Sequence, residues 1–199
     1  MRSETKQSGL LFIISGPAGS GKTTVCDALM KTESIERIIT STTRSPRTGE
    51  HDGIDYHFLN KADFQRKISA GLFFEYATVH NHFYGTQKTD IIEPLKAGYN
   101  RLLNIDVQGA KTIQMKAESD PFLKGKVVSI FIKPPNIDEL EKRLKKRGTD
   151  SVEEIKRRLE VATNELLQQD SYKHVIVSQS KEADLREIRA IYHRESARS

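Results

Sequence analysis

Gly16-Pro17-Ala18-Gly19-Ser20-Gly21-Lys22-Thr23-Thr24 decides how the rest of this 199-residue chain is read. Gly16, Gly21, Lys22 and Thr23 satisfy the pattern G-x-x-x-x-G-K-[ST] in full. Just upstream, Leu10-Leu11-Phe12-Ile13-Ile14 is an unbroken apolar run, the composition of a strand that a parallel sheet buries on both faces. Just downstream, Val25, Leu29 and Met30 recur at helical spacing. The motif therefore stands between a buried strand and a helix, which is the context it needs. Glycines there let the backbone turn tightly and aim successive N–H groups and a helix N-terminus at one anion. Lys22 adds a mobile positive charge, and the Thr23 hydroxyl is the candidate ligand for Mg²⁺. Gly16 to Thr24 thus form the expected cradle for a nucleotide's phosphates.

Composition bounds what surrounds this loop. The chain is long enough for one α/β domain with a small inserted subdomain. With 36% hydrophobic and 30% charged residues, it has the composition of a soluble globular protein. No apolar run approaches a bilayer span and Met1 to Ser8 is polar, so a cytoplasmic protein with no membrane partner is expected. Cys26 is the single cysteine, which excludes an internal disulfide and a cysteine metal cluster and reads as a small core residue. The net charge of +5 could suggest nucleic acid, but the basic residues gather at Arg44 to Arg47 and at Lys142 to Arg158, not in a tail or an aromatic patch. Two arginine clusters beside a phosphate loop fit a small phosphorylated substrate better than nucleic acid.

Farther along, Arg37 to Thr40 reads as a second strand leading into Ser41-Thr42-Thr43-Arg44-Ser45-Pro46-Arg47-Thr48-Gly49-Glu50, a loop that projects two arginines. Asp55 to Phe58 alternates as a half-exposed strand, and Asn60 opens a helix that ends at Gly71. Phe73 to Val79 and Asn81 to Tyr84 are expected strands, making residues 41–97 a candidate insertion. A helix follows from Ile91 to Ala97, bent or broken at Pro94, then a strand from Arg101 to Asp106, a helix from Gln108 to Met115 and a buried strand from Val127 to Ile132. Ile137, Leu140 and Leu144 line a helix that Gly148 stops, Ser151 caps the next, and the pair reads as a mobile lid over 143–158. Lys173 to Val177 is the last strand and Ala183 to Tyr192 the last helix. Strands alternating with helices imply right-handed crossovers and a doubly wound parallel sheet. Both N-K-x-D (Asn60 to Asp63) and D-x-x-G (Asp106 to Gly109) occur, but in the reverse of the order a GTPase uses.

The stretch STTRSPRTGEHDGIDYHF from Ser41 to Phe58 closely resembles the signature of guanylate kinases. With the phosphate loop, Glu75, Phe83-Tyr84-Gly85, IDVQGA at Ile105 to Ala110 and RLKKRGTDS at Arg143 to Ser151, the resemblance runs from about Leu10 to Tyr192. It implies a nucleoside monophosphate kinase fold: an α/β parallel-sheet core with helices on both faces, an inserted GMP-binding subdomain and a helical lid. On that division the domain is 9–193, its core 9–40 and 98–193, with 1–8 and 194–199 as flexible tails. The implied activity is Mg²⁺-dependent transfer of the terminal phosphoryl of ATP to GMP, giving ADP and GDP for guanine nucleotide supply.

Position by position, the resemblance assigns Arg44, Arg47, Tyr56 and Tyr84 to the GMP phosphate and Thr40, Glu75, Thr86 and Asp106 to guanine. Lys22, Arg143, Arg147 and Arg158 match the residues around the transferred phosphoryl. Guanine shows two adjacent donors on one edge, which carboxylates such as Glu75 and Asp106 can accept and which adenine does not offer. Asn104 stands where many relatives carry an acid near the metal, and Ser178 where an asparagine commonly approaches adenine. The competing reading is a phosphopeptide-binding module of the same fold without catalysis, a class in which the phosphate loop is usually degraded. The oligomeric state is left open between monomer and homodimer.

Overall fold

The computed structural model describes residues 7–79, 81–147 and 151–198, with Arg147 described by its backbone alone. In chain order the elements are β1 (Leu11–Ser15), α1 (Lys22–Thr32), β2 (Glu36–Arg37), β3 (Ser41–Thr42), β4 (His57–Phe58), α2 (Lys61–Ser69), β5 (Phe73–Val79) and β6 (His82–Gln87). They continue as α3 (Lys88–Lys96), β7 (Arg101–Asn104), α4 (Val107–Ser119), β8 (Val127–Lys133), α5 (Ile137–Arg147), α6 (Val152–Leu166), β9 (His174–Val177) and α7 (Lys181–Ser196).

The apolar run at the start becomes the central strand of a five-stranded sheet in the order β2-β7-β1-β8-β9, with every pair parallel. Every residue of β1 is buried, because successive side chains enter different layers. Leu10, Phe12 and Ile14 pack with α1 (Val25, Cys26, Leu29) and α7 (Ile188, Ile191, Tyr192). Leu11 and Ile13 pack on the other face with α3 (Ile91, Leu95) and α4 (Ala110, Ile113, Ala117). At about 1.5–3 kcal/mol per fully buried large side chain, this two-sided strand anchors the domain and leaves no polar face to expose. Burial pushes the Cys26 thiol up to about 12, so it is an inert core residue at neutral pH.

A second sheet, β4-β3-β6-β5, stands beside the first. Its hairpin β5–β6 turns at Asn81, whose φ of +66° suits asparagine better than a branched residue. Phe64 of α2 stacks on Phe73 at 4.4 Å and on Phe83 at 5.3 Å between ring centroids, which gives this small sheet a core of its own. Lys116 of α4 donates to the Phe74 carbonyl at 2.6 Å and ties the two sheets together.

Some boundaries differ from the sequence expectation. The second strand is Glu36–Arg37 rather than Arg37–Thr40. Ile38 N–H still donates to Leu102 O at 2.8 Å, but the chain then leaves the first sheet to begin the second. Pro94 lies inside α3, which begins three residues before Ile91 and continues past the proline. The strand expected to reach Asp106 ends at Asn104, since Asp106 caps the next helix. The tail expected to fray from residue 194 does not: α7 runs to Ser196, and Glu195, 4% exposed, pairs with Lys173 and His174. Gly148, the expected helix stop, lies outside the described residues.

Candidate active site

In a doubly wound sheet, ligands collect at the carboxyl ends of the strands, where the topology reverses on either side of the first strand. Here those ends carry the Gly16–Gly21 loop after β1, Asp106 after β7 and Ser178 after β9. The loop is tight enough that a Cβ on Gly16 would lie 2.1 Å from the Ile132 carbonyl oxygen, at a φ of +133°. Gly21, at φ +104°, is the N-cap of α1 and opens the helix toward the loop. Lys22 Nζ curls back to donate to the carbonyls of Gly16 (2.7 Å) and Pro17 (2.9 Å), which keeps its charge on the loop's rim. The Thr23 hydroxyl is exposed and accepts from Asn104 Nδ2 at 3.5 Å. Leu140 and Leu144 of α5 approach Gly19, so the α5–α6 pair, with its own apolar cluster of Leu140, Leu144, Ile155 and Ala162, rests against the loop.

The second sheet carries the arginine loop. Arg44 makes two parallel bonds to Glu50, each 2.9 Å, the paired geometry a guanidinium forms with a carboxylate. Its guanidinium lies 5.4 Å from the Tyr56 ring centre and 5.8 Å from that of Phe58, with the Tyr84 side chain hydrogen-bonded to it. Glu50 also accepts the Arg47 N–H at 2.7 Å, and Arg44 holds its carboxyl below the usual range. Burial pushes the Tyr56 phenol up, so it remains a protonated donor at neutral pH. Arg44, Tyr56 and Tyr84 are therefore gathered at one point, whereas the Arg47 side chain is exposed.

Two carboxylates converge nearby. Glu75 on β5, 3% exposed, accepts from Thr86 Oγ1 on β6 at 2.7 Å. Asp106 caps α4 by accepting the Gly109 N–H at 2.9 Å, and a Cβ on Gly109 would stand 3.6 Å from Glu75 Oε2. Burial, with the Asp106 charge adding to it, pushes the Glu75 carboxyl up to about 7. Thr40 is buried at the mouth of the same sheet and its carbonyl accepts from His57 N–H at 2.9 Å.

Of the arginines on the helical pair, Arg143 reaches the loop, with Nη1 3.5 Å from the Ser20 carbonyl and 3.0 Å from Ser178 Oγ. Arg158 donates to Glu154 of its own helix at 2.9 Å, the i, i+4 spacing of a helix-surface pair. The Arg147 side chain lies outside the described residues. The two GTPase-like tetrapeptides are both helix N-caps, Asn60 accepting from Asp63 N–H at 2.8 Å as Asp106 does from Gly109.

Sequence reasoning missed Glu50, whose part depends on the loop folding back over six residues. It also missed Ser41, whose hydroxyl, like that of Ser20 in the expected phosphate cradle, is buried with no hydrogen-bond partner among the described residues. Glu165 of α6 was missed as well. Burial pushes it up to about 7 against the pull of Lys22, which its position in an apolar helix pattern does not announce.

The sequence profile of the guanylate kinase family matches residues 8–195. A guanylate kinase of Caldanaerobacter subterraneus subsp. tengcongensis is 42% identical over 194 residues, covering 97% of this chain and 91% of its own. One from Rickettsia felis is 40% identical over 187 residues, covering 94% of each chain. The crystal structure of guanylate kinase from Anaplasma phagocytophilum superposes with a TM-score of 0.77 at 30% identity, covering 98% of this chain and 89% of that one. Likeness over almost the whole length, with the phosphate loop and the arginine-bearing second sheet both in place, shows that this chain belongs to the guanylate kinase family.

Proposed function

We propose that Arg44, Arg47, Tyr56 and Tyr84 hold the phosphate of GMP while Thr40, Glu75, Thr86 and Asp106 recognise its guanine. The chain is a guanylate kinase: it transfers the terminal phosphoryl of ATP to GMP and releases ADP and GDP. The observation that carries the site assignment is the buried Glu75, whose Oε1 is fixed by Thr86 and whose other oxygen faces the first turn of α4 beside Asp106. Guanine presents two N–H donors on one edge, and two carboxylates at one place match them. AMP would leave the second oxygen of each carboxylate facing the base without a donor, which is the basis for rejecting it.

A phosphate oxygen of GMP attacks the terminal phosphorus of ATP as the bond to the ADP oxygen breaks, so the phosphoryl passes directly with no enzyme nucleophile. Alignment and charge neutralisation are then the protein's main tasks. On this reading the Gly16–Thr24 loop holds the ATP phosphates, and Lys22 exchanges its two loop carbonyls for phosphate oxygens. Arg143, Arg147 and Arg158 surround the phosphoryl in transit. The helical pair 143–158 acts as a lid that excludes water, and 41–97 acts as the GMP-binding insertion between the core segments 9–40 and 98–193.

Mg²⁺ fits this site as a nucleotide-borne ion. Among the described residues no group of three or more His, Cys, Asp and Glu side chains could hold a metal, whereas the exposed Thr23 hydroxyl stands at the helix N-terminus. One hydroxyl plus phosphate oxygens and waters is the ligand set Mg²⁺ takes in such enzymes. When bound it neutralises charge on the phosphates being separated. No helix among the described residues is long and apolar enough to cross a membrane.

The test is coupled ADP release with ATP and Mg²⁺, offering GMP, AMP, CMP, UMP and no acceptor in parallel. Release that depends on GMP alone supports the assignment, and release without acceptor points to hydrolysis. Silence in every well would restore the phosphopeptide-binding reading, which the intact phosphate loop disfavours.

A further inference from the structure

Ser178 follows directly on β9 at the same end of the sheet as the phosphate loop, and its N–H extends the ladder by donating to Lys133 O at 2.8 Å. Its side chain is 3% exposed. The hydroxyl donates to Asp184 Oδ2 at 2.7 Å, and the other oxygen of that carboxylate accepts the Gln179 N–H at 2.8 Å. Asp184 sits in the first turn of α7 and is 5% exposed. A hydroxyl has one proton, and here Asp184 takes it. Toward any other partner Ser178 Oγ can therefore only accept.

That other partner is Arg143. Its Nη1 donates to Ser178 Oγ at 3.0 Å, its Nη2 approaches the Ser178 carbonyl at 3.4 Å, and Nε donates to Glu139 at 3.0 Å. The guanidinium is thus held from two sides, and the Nη1 that donates to Ser178 also lies 3.5 Å from the Ser20 carbonyl in the phosphate loop. Ser178 Oγ is itself in van der Waals range of the loop, since a Cβ on Gly21 would lie 3.4 Å from it. A carboxylate two bonds removed polarises the hydroxyl, so its acceptor strength toward a cation exceeds that of an ordinary serine.

We propose that Ser178 and Asp184 are positioning residues for the reaction, acting through Arg143. The buried Asp184 fixes the direction of the Ser178 hydroxyl, and the hydroxyl fixes the Arg143 guanidinium at the mouth of the phosphate loop. This rests on the reading of Arg143 as a residue that faces the transferred phosphoryl. It adds that the placement of that arginine depends on a relay from α7, an element outside both the phosphate loop and the α5–α6 pair. An arginine placed before substrate arrives spends less ordering entropy in the transition state, so loss of the relay lowers kcat and leaves GMP binding almost unchanged.

The test measures kcat and KM for both substrates in Ser178→Ala, Asp184→Asn, Arg143→Ala and the double variant Ser178→Ala/Arg143→Ala, with thermal unfolding of each. Ser178→Ala is expected to lower kcat about tenfold, the loss of one hydrogen bond to a charged group, with the GMP KM moving less than about twofold. Asp184→Asn is expected to act in the same direction, since an amide can accept from only one of the two donors that Asp184 serves. Ser178→Ala is expected to cost nothing further once Arg143 is alanine. An equal loss from Ser178→Ala in both backgrounds would overturn the relay, as would unchanged kcat in the single variant. If Arg143→Ala itself keeps full kcat, the reading of Arg143 fails first and takes the relay with it. Should Asp184→Asn unfold, the Ser178→Ala pair still decides.

Discussion

Thr86 Oγ1 donates to Glu75 Oε1 at 2.7 Å across the β5–β6 hairpin, and both side chains are buried. The bond commits one oxygen of Glu75 and aims the other at the first turn of α4, where Asp106 already caps the helix. Desolvation opposes the ionised form there, so the site holds a carboxyl poised near neutrality.

GMP binding is expected to weaken as pH falls below 7. On the proposed assignment only ionised Glu75 accepts from guanine, and its pKa is pushed up to about 7. Well below that value KM for GMP should rise about tenfold per pH unit. Stability runs the opposite way: the folded state holds the Glu75 proton more tightly than the unfolded chain, so its contribution is full below the ordinary carboxyl range and is lost as pH rises through about 7. Glu75→Gln should flatten the protein's part of the profile, leaving the proton that the GMP phosphate itself loses near about pH 6. Glu165 titrates in the same window, and the profile should survive in Glu165→Gln. A GMP KM independent of pH between 5.5 and 8 in the parent, once the phosphate is allowed for, would remove the assignment.

Glu50 is expected to act as the clamp's foundation. Its two bonds to Arg44 and one to the Arg47 N–H hold the loop in a single shape over Tyr56. Glu50→Ala should raise the GMP KM by about tenfold, while Arg44→Ala should cost about 2–5 kcal/mol of transition-state binding. Steady-state kinetics decide the sense, because a KM that falls in Glu50→Ala would mean that Glu50 competes with the phosphate for Arg44.

Asp106 carries two tasks that two substitutions can separate. As N-cap of α4 it satisfies the Gly109 N–H, and Asp106→Ala should cost about 1 kcal/mol in urea unfolding. Asp106→Asn keeps an acceptor at the cap and should unfold near the parent midpoint. Both variants should lose GMP preference over AMP, measured as the ratio of kcat/KM. A normal preference in Asp106→Asn would leave the residue with the cap alone.

The order of elements and the phosphate loop were legible because each signal is local: an apolar run, a glycine spacing and a helical period within two dozen residues. Asp106 was read as a guanine acceptor and not as a cap, although an acid three residues before Gly109 at a helix start carries the capping signal. The second strand was misplaced because Ile38 to Thr40 look like a strand wherever they lie, and only the pairing of Ser41 with Gly85 shows where the chain changes sheets. Arg158 matched a family position, yet its i, i+4 spacing from Glu154 already offered a partner on its own helix. Glu50 and Asp184 were silent, and Ser178 was noted only for its place near adenine, since their bonds to Arg44, to each other and to Arg143 are tertiary contacts that neither period nor composition encodes.

The two halves of the site should fail separately when a glycine of each is filled. A Cβ on Gly85 would meet Phe73 at 2.9 Å and Phe64 at 3.0 Å, inside the aromatic stack that supports Tyr84 and Thr86. Gly85→Ala must therefore push rings that are already in contact, at about 1–3 kcal/mol, and shift the strand that carries Tyr84 and Thr86, the proposed GMP contacts. A Cβ on Gly16 would instead strike the Ile132 carbonyl at 2.1 Å, which no side-chain movement relieves, at a φ that alanine rarely adopts. The expected result is a raised GMP KM with near-normal ATP binding in Gly85→Ala, and lost ATP binding in Gly16→Ala. Calorimetric titration of each variant with ATP and with GMP reads this directly. Equal damage to both ligands from Gly85→Ala would mean that the aromatic stack supports the phosphate loop as well, and that the second sheet is not a separate binding unit.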